Sequence, residues 1–302
     1  MWNLYRVRAR LASPLHVGWR TVGNLKMTRP YVPGRSLWGA LTCRLARDKF
    51  DGGYARASAI INDCVRFSYL FASDSGDGVD LWPWGTSLPD FSWRFLHSYA
   101  STALTHAKSK LDGSLHETEL LAPYSRNGSS PVWLHGYYWI RSNGPADKDF
   151  ADAVQSAWPL LQLGGERSYG WGRLAQCRTE RVEDDHKLFG TWQWSAKDGD
   201  VWVGTPNSAA TIAHVVVDDE TSATGSFEVV VSRTTDMEGK AGQFGRTLTK
   251  AEICWAPGSS FSDDGGFRIG SYGLWRLWNA PSGSARLPDA KGIETSEKFG
   301  AL

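Results

Sequence analysis

The densest cluster of residues with chemical potential is Leu163-Gly164-Gly165-Glu166-Arg167-Ser168-Tyr169-Gly170-Trp171-Gly172-Arg173-Leu174, in which four glycines fall within nine positions. Glycine costs backbone entropy, so such clustering implies positive φ or a close backbone approach. Bare peptide N–H groups in a loop of this kind can form a nest for phosphate oxygens. Arg167 and Arg173, with Ser168 between them, add polar and cationic groups, and Tyr169 and Trp171 offer faces on which bases stack. No Gly-Lys-Ser/Thr closes the stretch as in a Walker loop. A helical pattern precedes it and no clear helix follows, unlike a dinucleotide fingerprint. The plain alternative is a tight helix-to-strand turn that is glycine-rich for geometry alone.

Two earlier stretches carry related chemistry. Residues 19–31 hold Arg20, Lys26 and Arg29 and no Asp or Glu, and read as a loop. It can hold an anion but cannot supply a carboxylate for acid–base or metal work. Just before it, Ser13-Pro14-Leu15-His16-Val17-Gly18 places His16 at the end of the first strand. Its structural reading is a packed residue that anchors the turn from Pro14 to Gly18. Next, Tyr31-Val32-Pro33-Gly34-Arg35-Ser36-Leu37 opens a helix, with a turn signal at Pro33-Gly34 and Arg35 and Ser36 in or before the first turn. Free N–H groups there favour an anion, whereas an ordinary capped helix needs none.

The elements that must position these groups are legible from periodicity. Tyr5, Val7, Ala9 and Leu11 alternate with Arg6, Arg8 and Arg10, a strand with one apolar and one basic face. Leu37, Leu41 and Leu45 recur at helical spacing beside Trp38. Arg44, Arg47 and Lys49 complement the helix dipole and need no further role. Cys64 to Phe71 reads as a second strand and Val132 to Ile140 as a third, with residues 86–131 a long excursion between them. The best helix spans 147–163, with Phe150, Val154, Trp158 and Leu161 on one stripe and Gly164 as its C′ residue. A strand from Arg173 to Val182 follows. This order predicts an α+β fold, a ferredoxin-like, RNA-recognition-type antiparallel sheet with helices on one face and the glycine-rich loop before its last strand. Residues 1–185 form that domain. Residues 186–302 form a second, degenerate ferredoxin-like or irregular β domain, with strands at 200–204, 211–217, 226–233 and 267–278 and a frayed last dozen residues.

Composition removes other classes. With 302 residues, 41% hydrophobic and 22% charged, the chain suits a folded protein, and a net charge of +1 confines any polyanion site to a local patch. Cys43, Cys64, Cys177 and Cys254 stand singly, and His97, His106 and His116 lack metal-ligand spacing, so no metal or cofactor is expected. Neither a signal-peptide pattern at the N-terminus nor an apolar run of membrane-spanning length is present, so a cytoplasmic protein with no membrane partner is expected. Sixteen tryptophans demand a wide core or a binding surface. Trp82, Trp84, Trp93, Trp192, Trp194 and Trp202 suit sugar stacking in a distant third reading, a carbohydrate-binding β-protein.

In order and spacing, residues 13–18, 31–41 and 164–173 resemble the RAMP superfamily of CRISPR-associated proteins. The family's strand-ending Ser/Thr-Pro-Leu-His stretch, its Pro-Gly helix opening with Gly39-Ala40, and its GGxRSxGxGR loop are all matched, over roughly residues 1–182. The loop is the most specific of the three. The resemblance implies a ferredoxin-like fold that binds guide RNA (crRNA) inside an antiviral ribonucleoprotein. Its neighbours there would be other RAMP subunits and a large subunit, with target RNA nearby. About 120 residues follow the loop, which resembles the subunit capping the 5′ handle of the guide RNA in type III complexes. Members that cut target RNA use an aspartate in the loop corresponding to residues 19–31, and none stands here. The resemblance therefore implies a non-catalytic RNA binder, with a RAMP endoribonuclease using His16 as the alternative. Trp38 departs from the Lys or Arg common in the family and removes a phosphate contact, leaving a ring that could stack.

Overall fold

The computed structural model describes residues 1–142, 148–183, 187–197, 199–204, 209–218, 223–233, 248–261 and 266–278. In the N-terminal half, β1 (Trp2–Leu11) is followed by β2 (Gly18–Val22), β3 (Leu25–Thr28), β4 (Tyr31–Val32), α1 (Gly34–Asp48), α2 (Tyr54–Cys64), β5 (Val65–Phe67) and β6 (Leu70–Ser73). Then come α3 (Leu88–Phe95), β7 (Leu96–Ser101), β8 (His116–Leu121), β9 (Trp133–Arg141), α4 (Lys148–Ala157) and β10 (Leu174–Val182). The main sheet runs β10-β1-β9-β6-β4, with β5 also on β9, and all its pairings are antiparallel. Two βαβ halves interleave, so the α+β ferredoxin-like architecture is present. α2 carries no expectation above. Ile61 buries its inner face while Tyr54, Asn62 and Asp63 stay outside, too short an apolar stripe to read beside the polar run.

The sheet is buried on both faces over half its length. On one side Tyr5, Val7, Ala9 and Leu11 pack with Leu37, Leu41 and Leu45 of α1, Ile61 of α2, and Phe150, Val154 and Trp158. On the other side Trp2, Leu4, Tyr137 and Trp139 pack against the C-terminal half. The strict alternation of β1 thus serves two cores, and its arginines lie on the second face beyond the covered part. There Arg6 and Arg8 grip Glu180 of β10 at 3.0 and 2.9 Å. The sheet face is consequently not an open platform for nucleic acid.

Several expectations are corrected. Residues 19–31 are not a loop, since β2 and β3 form a hairpin turning at Gly23, where φ is +58°. The excursion completes that hairpin's sheet, in the order β2-β3-β8-β7, with β3 and β8 parallel. Cys64 to Phe71 breaks into β5 and β6 because Ser68 turns inward to bond Tyr69 O and Tyr137 N. α4 ends at Ala157, where Pro159 follows and a short 3-10 turn, Trp158–Leu160, takes over.

The C-terminal half comprises β11 (Lys187–Leu188), β12 (Trp192–Lys197), β13 (Asp200–Gly204), β14 (Val215–Val216), β15 (Ala223–Thr224), β16 (Phe227–Arg233), β17 (Leu248–Trp255), β18 (Ser260–Phe261), β19 (Gly266–Ile269) and β20 (Trp275–Trp278). Eight of these form one mixed sheet, β11-β12-β13-β19-β20-β14-β17-β16, and no α-helix occurs among its described residues. The last dozen residues, expected to fray, lie outside the described residues. Trp82, Trp84 and Trp192 pack together beneath this sheet, with Trp82 and Trp84 stacked at 5.0 Å, so these rings fill core rather than a sugar site.

A buried polar cluster joins the halves. His214 is 1% exposed. Its Nε2–H donates to Glu228 at 2.8 Å, which leaves Nδ1 to accept from the Tyr69 hydroxyl at 2.6 Å. Arg29 donates to the same Glu228 carboxylate and to Tyr31. Burial holds His214 below the ordinary imidazole value. Burial alone would raise Glu228, but its bond to His214 and the charge of Arg29 carry it below the ordinary carboxylate value. Both groups bind fewer protons folded than unfolded, so their stabilisation is full above about pH 6.5 and is lost as the pH falls through the carboxylate range. The thermal midpoint is expected to drop between pH 7.5 and 5, with a shallower slope in His214→Asn. An equal slope in that variant would contradict the cluster's role.

Candidate nucleic-acid interface

The glycine-rich stretch lies against the end of β1. Gly165 N–H donates to His16 O at 2.8 Å, Gly172 N–H to Pro14 O at 2.7 Å and Arg173 N–H to Ser13 Oγ at 2.9 Å. Leu163 N–H closes the base of the loop on Gly172 O at 2.9 Å. Two glycines are demanded by this contact. A Cβ on Gly164 would stand 2.2 Å from His16 O, and one on Gly172 1.8 Å from Leu163 O, both at positive φ. Gly164 is therefore a packing residue four positions beyond the helical turn, not its C′ cap.

Several of the amides expected for a nest are spent inside the protein, since Tyr169 and Gly170 N–H also close on Glu166 and Arg167 carbonyls. What the loop presents outward is side chains. Arg167, Ser168, Tyr169 and Arg173 are exposed, Tyr169 by 80%. Trp171 is half-buried, its ring edge-on to Tyr99 of β7 at 6.2 Å. Gln162 pins the loop by donating to the carbonyls of Arg167 and Trp171 at 2.9 and 2.8 Å.

Beside the loop opens a cleft of about 610 Å³ between the hairpin, the start of α1, the glycine stretch and β16. Its walls bring together Arg29, Arg35, Ser36, Gly164, Gly165 and Arg167 from the residues singled out by sequence. No carboxylate is among its lining residues. Arg29 sits at the floor with its charge committed to Glu228, so it is a structural cation rather than a phosphate ligand. Arg20 stacks over Trp19 at 4.1 Å on the exposed hairpin, and Lys26 reaches Glu166 at 3.6 Å, so neither lines the cleft. His16 is 7% exposed and its Nδ1 bonds Glu119 O at 2.7 Å, the anchoring role. Trp38 is buried with its ring edge-on to Tyr272 at 4.8 Å, so it cannot stack a base.

No family model matches the chain, and neither does any curated protein. Among solved structures, it is similar to a chain in the cryo-EM structure of the Type III-B Cmr-beta bound to cognate target RNA and AMPPnP, state 1. That alignment covers 85% of each chain at 12% identity, with a TM-score of 0.48. A chain in the cryo-EM structure of the Type III-B Cmr-beta bound to cognate target RNA aligns over 59% of this chain and 97% of that one, at 12% identity and a TM-score of 0.41.

Sequence reasoning missed Trp19, Tyr54 and Gln162 as lining residues, and the part played by β16. It also missed a second, adjoining hollow of about 530 Å³ lined by Arg44, Arg47, Arg167 and Ser168. The signal was available. Ser36, Ala40, Cys43 and Arg47 recur at helical spacing on the side of α1 opposite the leucines. Gly172→Ala is expected to cost on the order of 3 kcal/mol, from forced positive φ plus overpacking. Gly39→Ala, whose Cβ meets nothing within 4 Å, is expected to gain about 0.5–1 kcal/mol. Urea denaturation reads both, and an undiminished Gly172→Ala protein would sink the backbone-contact account.

Proposed function

We propose that this chain is a guide-RNA-binding, non-cleaving subunit of a CRISPR type III-like effector complex. The observation that carries the reading is a convergence. Three stretches matching the RAMP pattern, up to 150 residues apart in the chain, meet around one cleft with arginines and no carboxylate among its lining residues. His16 and Pro14 accept the backbone bonds of the glycine loop, Arg35 and Ser36 open α1 on the facing wall, and Arg167 stands between. Such a site suits a ribose-phosphate backbone, with Tyr169 placed outside it to stack a base.

Non-cleavage is part of the proposal. Residues 19–31 supply no carboxylate, and His16 has its ring held against Glu119 and Gly165. The endoribonuclease alternative requires that imidazole to reach a 2′-hydroxyl. The complex, its large subunit and its target RNA remain partners by proposal, as does a cytoplasmic location. No described helix is long and apolar enough to cross a membrane.

Binding of single-stranded RNA bearing a repeat-derived handle is expected to weaken steeply with salt. Arg35→Ala with Arg167→Ala should lose on the order of tenfold in affinity and flatten the log–log salt slope by ~1.4, at ~0.7 per phosphate contact. RNA incubated with the protein in EDTA should stay intact. A flat salt response in the wild type would remove the phosphate reading, and cleavage abolished by His16→Ala would favour the nuclease.

A further inference from the structure

The second hollow is not a separate pocket. It shares Ala40, Cys43, Gln162 and Arg167 with the cleft, so the two are lobes of one trough running along the outer side of α1. Gly39, Ala40 and Cys43 form its floor, and these small residues leave space between the cationic ends. Helical rise places Arg47 roughly 16 Å from Ser36, a span for consecutive phosphates.

Several arginines elsewhere on the protein have carboxylate partners, and within the trough Arg29 and Arg44 have one too. Arg6 and Arg8 are paired to Glu180, Arg94 to Asp74 and Asp80, Arg141 to Asp63, and Arg276 to Glu252. In the second lobe Arg44 spends only Nε on Asp48, and Arg47 only Nε on Cys43 O. Their terminal nitrogens, and the whole Arg167 guanidinium, have no hydrogen-bonded or ion-paired protein partner among the described residues. No carboxylate is among the lining residues of this lobe either. Helix-dipole compensation explains a cation at the end of α1. It does not explain why a third guanidinium, from the glycine loop, is brought to face it across a hollow.

We propose that the RNA path continues past Arg167 along α1, and that Arg44 and Arg47 hold the backbone phosphates of the single-stranded segment as it leaves the cleft. This deepens the guide-RNA reading and rests on it. Arg167 is then the saddle between two phosphate-binding lobes.

The test is fluorescence anisotropy with a labelled single-stranded RNA of roughly a dozen nucleotides over rising KCl. Arg44→Ala with Arg47→Ala is expected to weaken binding about tenfold at low salt and to flatten the salt slope by ~1.4. Arg44→Gln with Arg47→Gln, which keeps the stems and their packing, should do the same, and Arg6→Ala should bind as wild type. Wild-type affinity and slope in both double variants, while Arg167→Ala binds weakly, would end the path at Arg167 and leave the first lobe standing. No salt-dependent binding by the wild type would overturn the guide-RNA reading and this extension together.

Discussion

A close backbone contact governs this molecule: the glycine stretch lies against Ser13–His16, with Gly164 too close to His16 O for any side chain and Gly172 too close to Leu163 at the loop's base. Its hydrogen bonds extend the β1–β10 ladder beyond the ends of both strands, so the loop is part of the framework. Once it is fixed there, Arg167 has a defined place, and Gln162 holds the carbonyls behind it. The same segment carries His16, whose ring reaches β8 through Glu119 O, and Leu15, which bridges to Leu121. One stretch thereby couples the glycine loop, the hairpin sheet and the main sheet.

The two-sided burial of the main sheet decides where nucleic acid can go. An RNA-recognition sheet offers a face to bases. Here the C-terminal half occupies much of that face, and beyond it Arg6 and Arg8 share the carboxylate of Glu180. On the helix side, along α1, the terminal nitrogens of Arg44 and Arg47 carry no hydrogen bond or ion pair to a described residue. The C-terminal half also completes the cleft, through Val229, Val230 and Val231 of β16 and through Leu274, which follows the turn Ser271–Gly273. A Cβ on Gly34 would meet Gly273 Cα at 2.8 Å, so that turn braces the opening of α1. The clamp of Arg29, Glu228, His214 and Tyr69 ties these walls together from below.

Elements with long, clean periodicity were legible in the sequence: β1, α1, β9, the stripe of α4 and β10. Their order predicts the antiparallel core β10-β1-β9, to which the structure adds β4, β5 and β6. What escaped reading depends on partners far along the chain. The 19–31 stretch looks like a loop because its strands are short and exposed on β2, and it becomes a hairpin through β8. Arg29 looks like a phosphate ligand until Glu228, about 200 positions later, claims it. The glycines announced a tight backbone, but an anion nest and a packed turn have the same composition. Arg167 was legible as a cation beside them. Arg47 carried a periodic signal, but helix-dipole compensation accounted for it and for Arg44 alike.

The account's central claim is the location of the RNA on the helix side of the sheet, in the trough beside the glycine loop. Ultraviolet cross-linking of the protein to a bound single-stranded RNA, followed by mass spectrometry of the linked peptides, tests it most directly. The account predicts adducts on peptides containing Trp19, Tyr54 or Tyr169, which border the trough. Adducts confined to the β1 and β10 face around Arg6, Arg8 and Arg178, with those peptides unmodified, would contradict it.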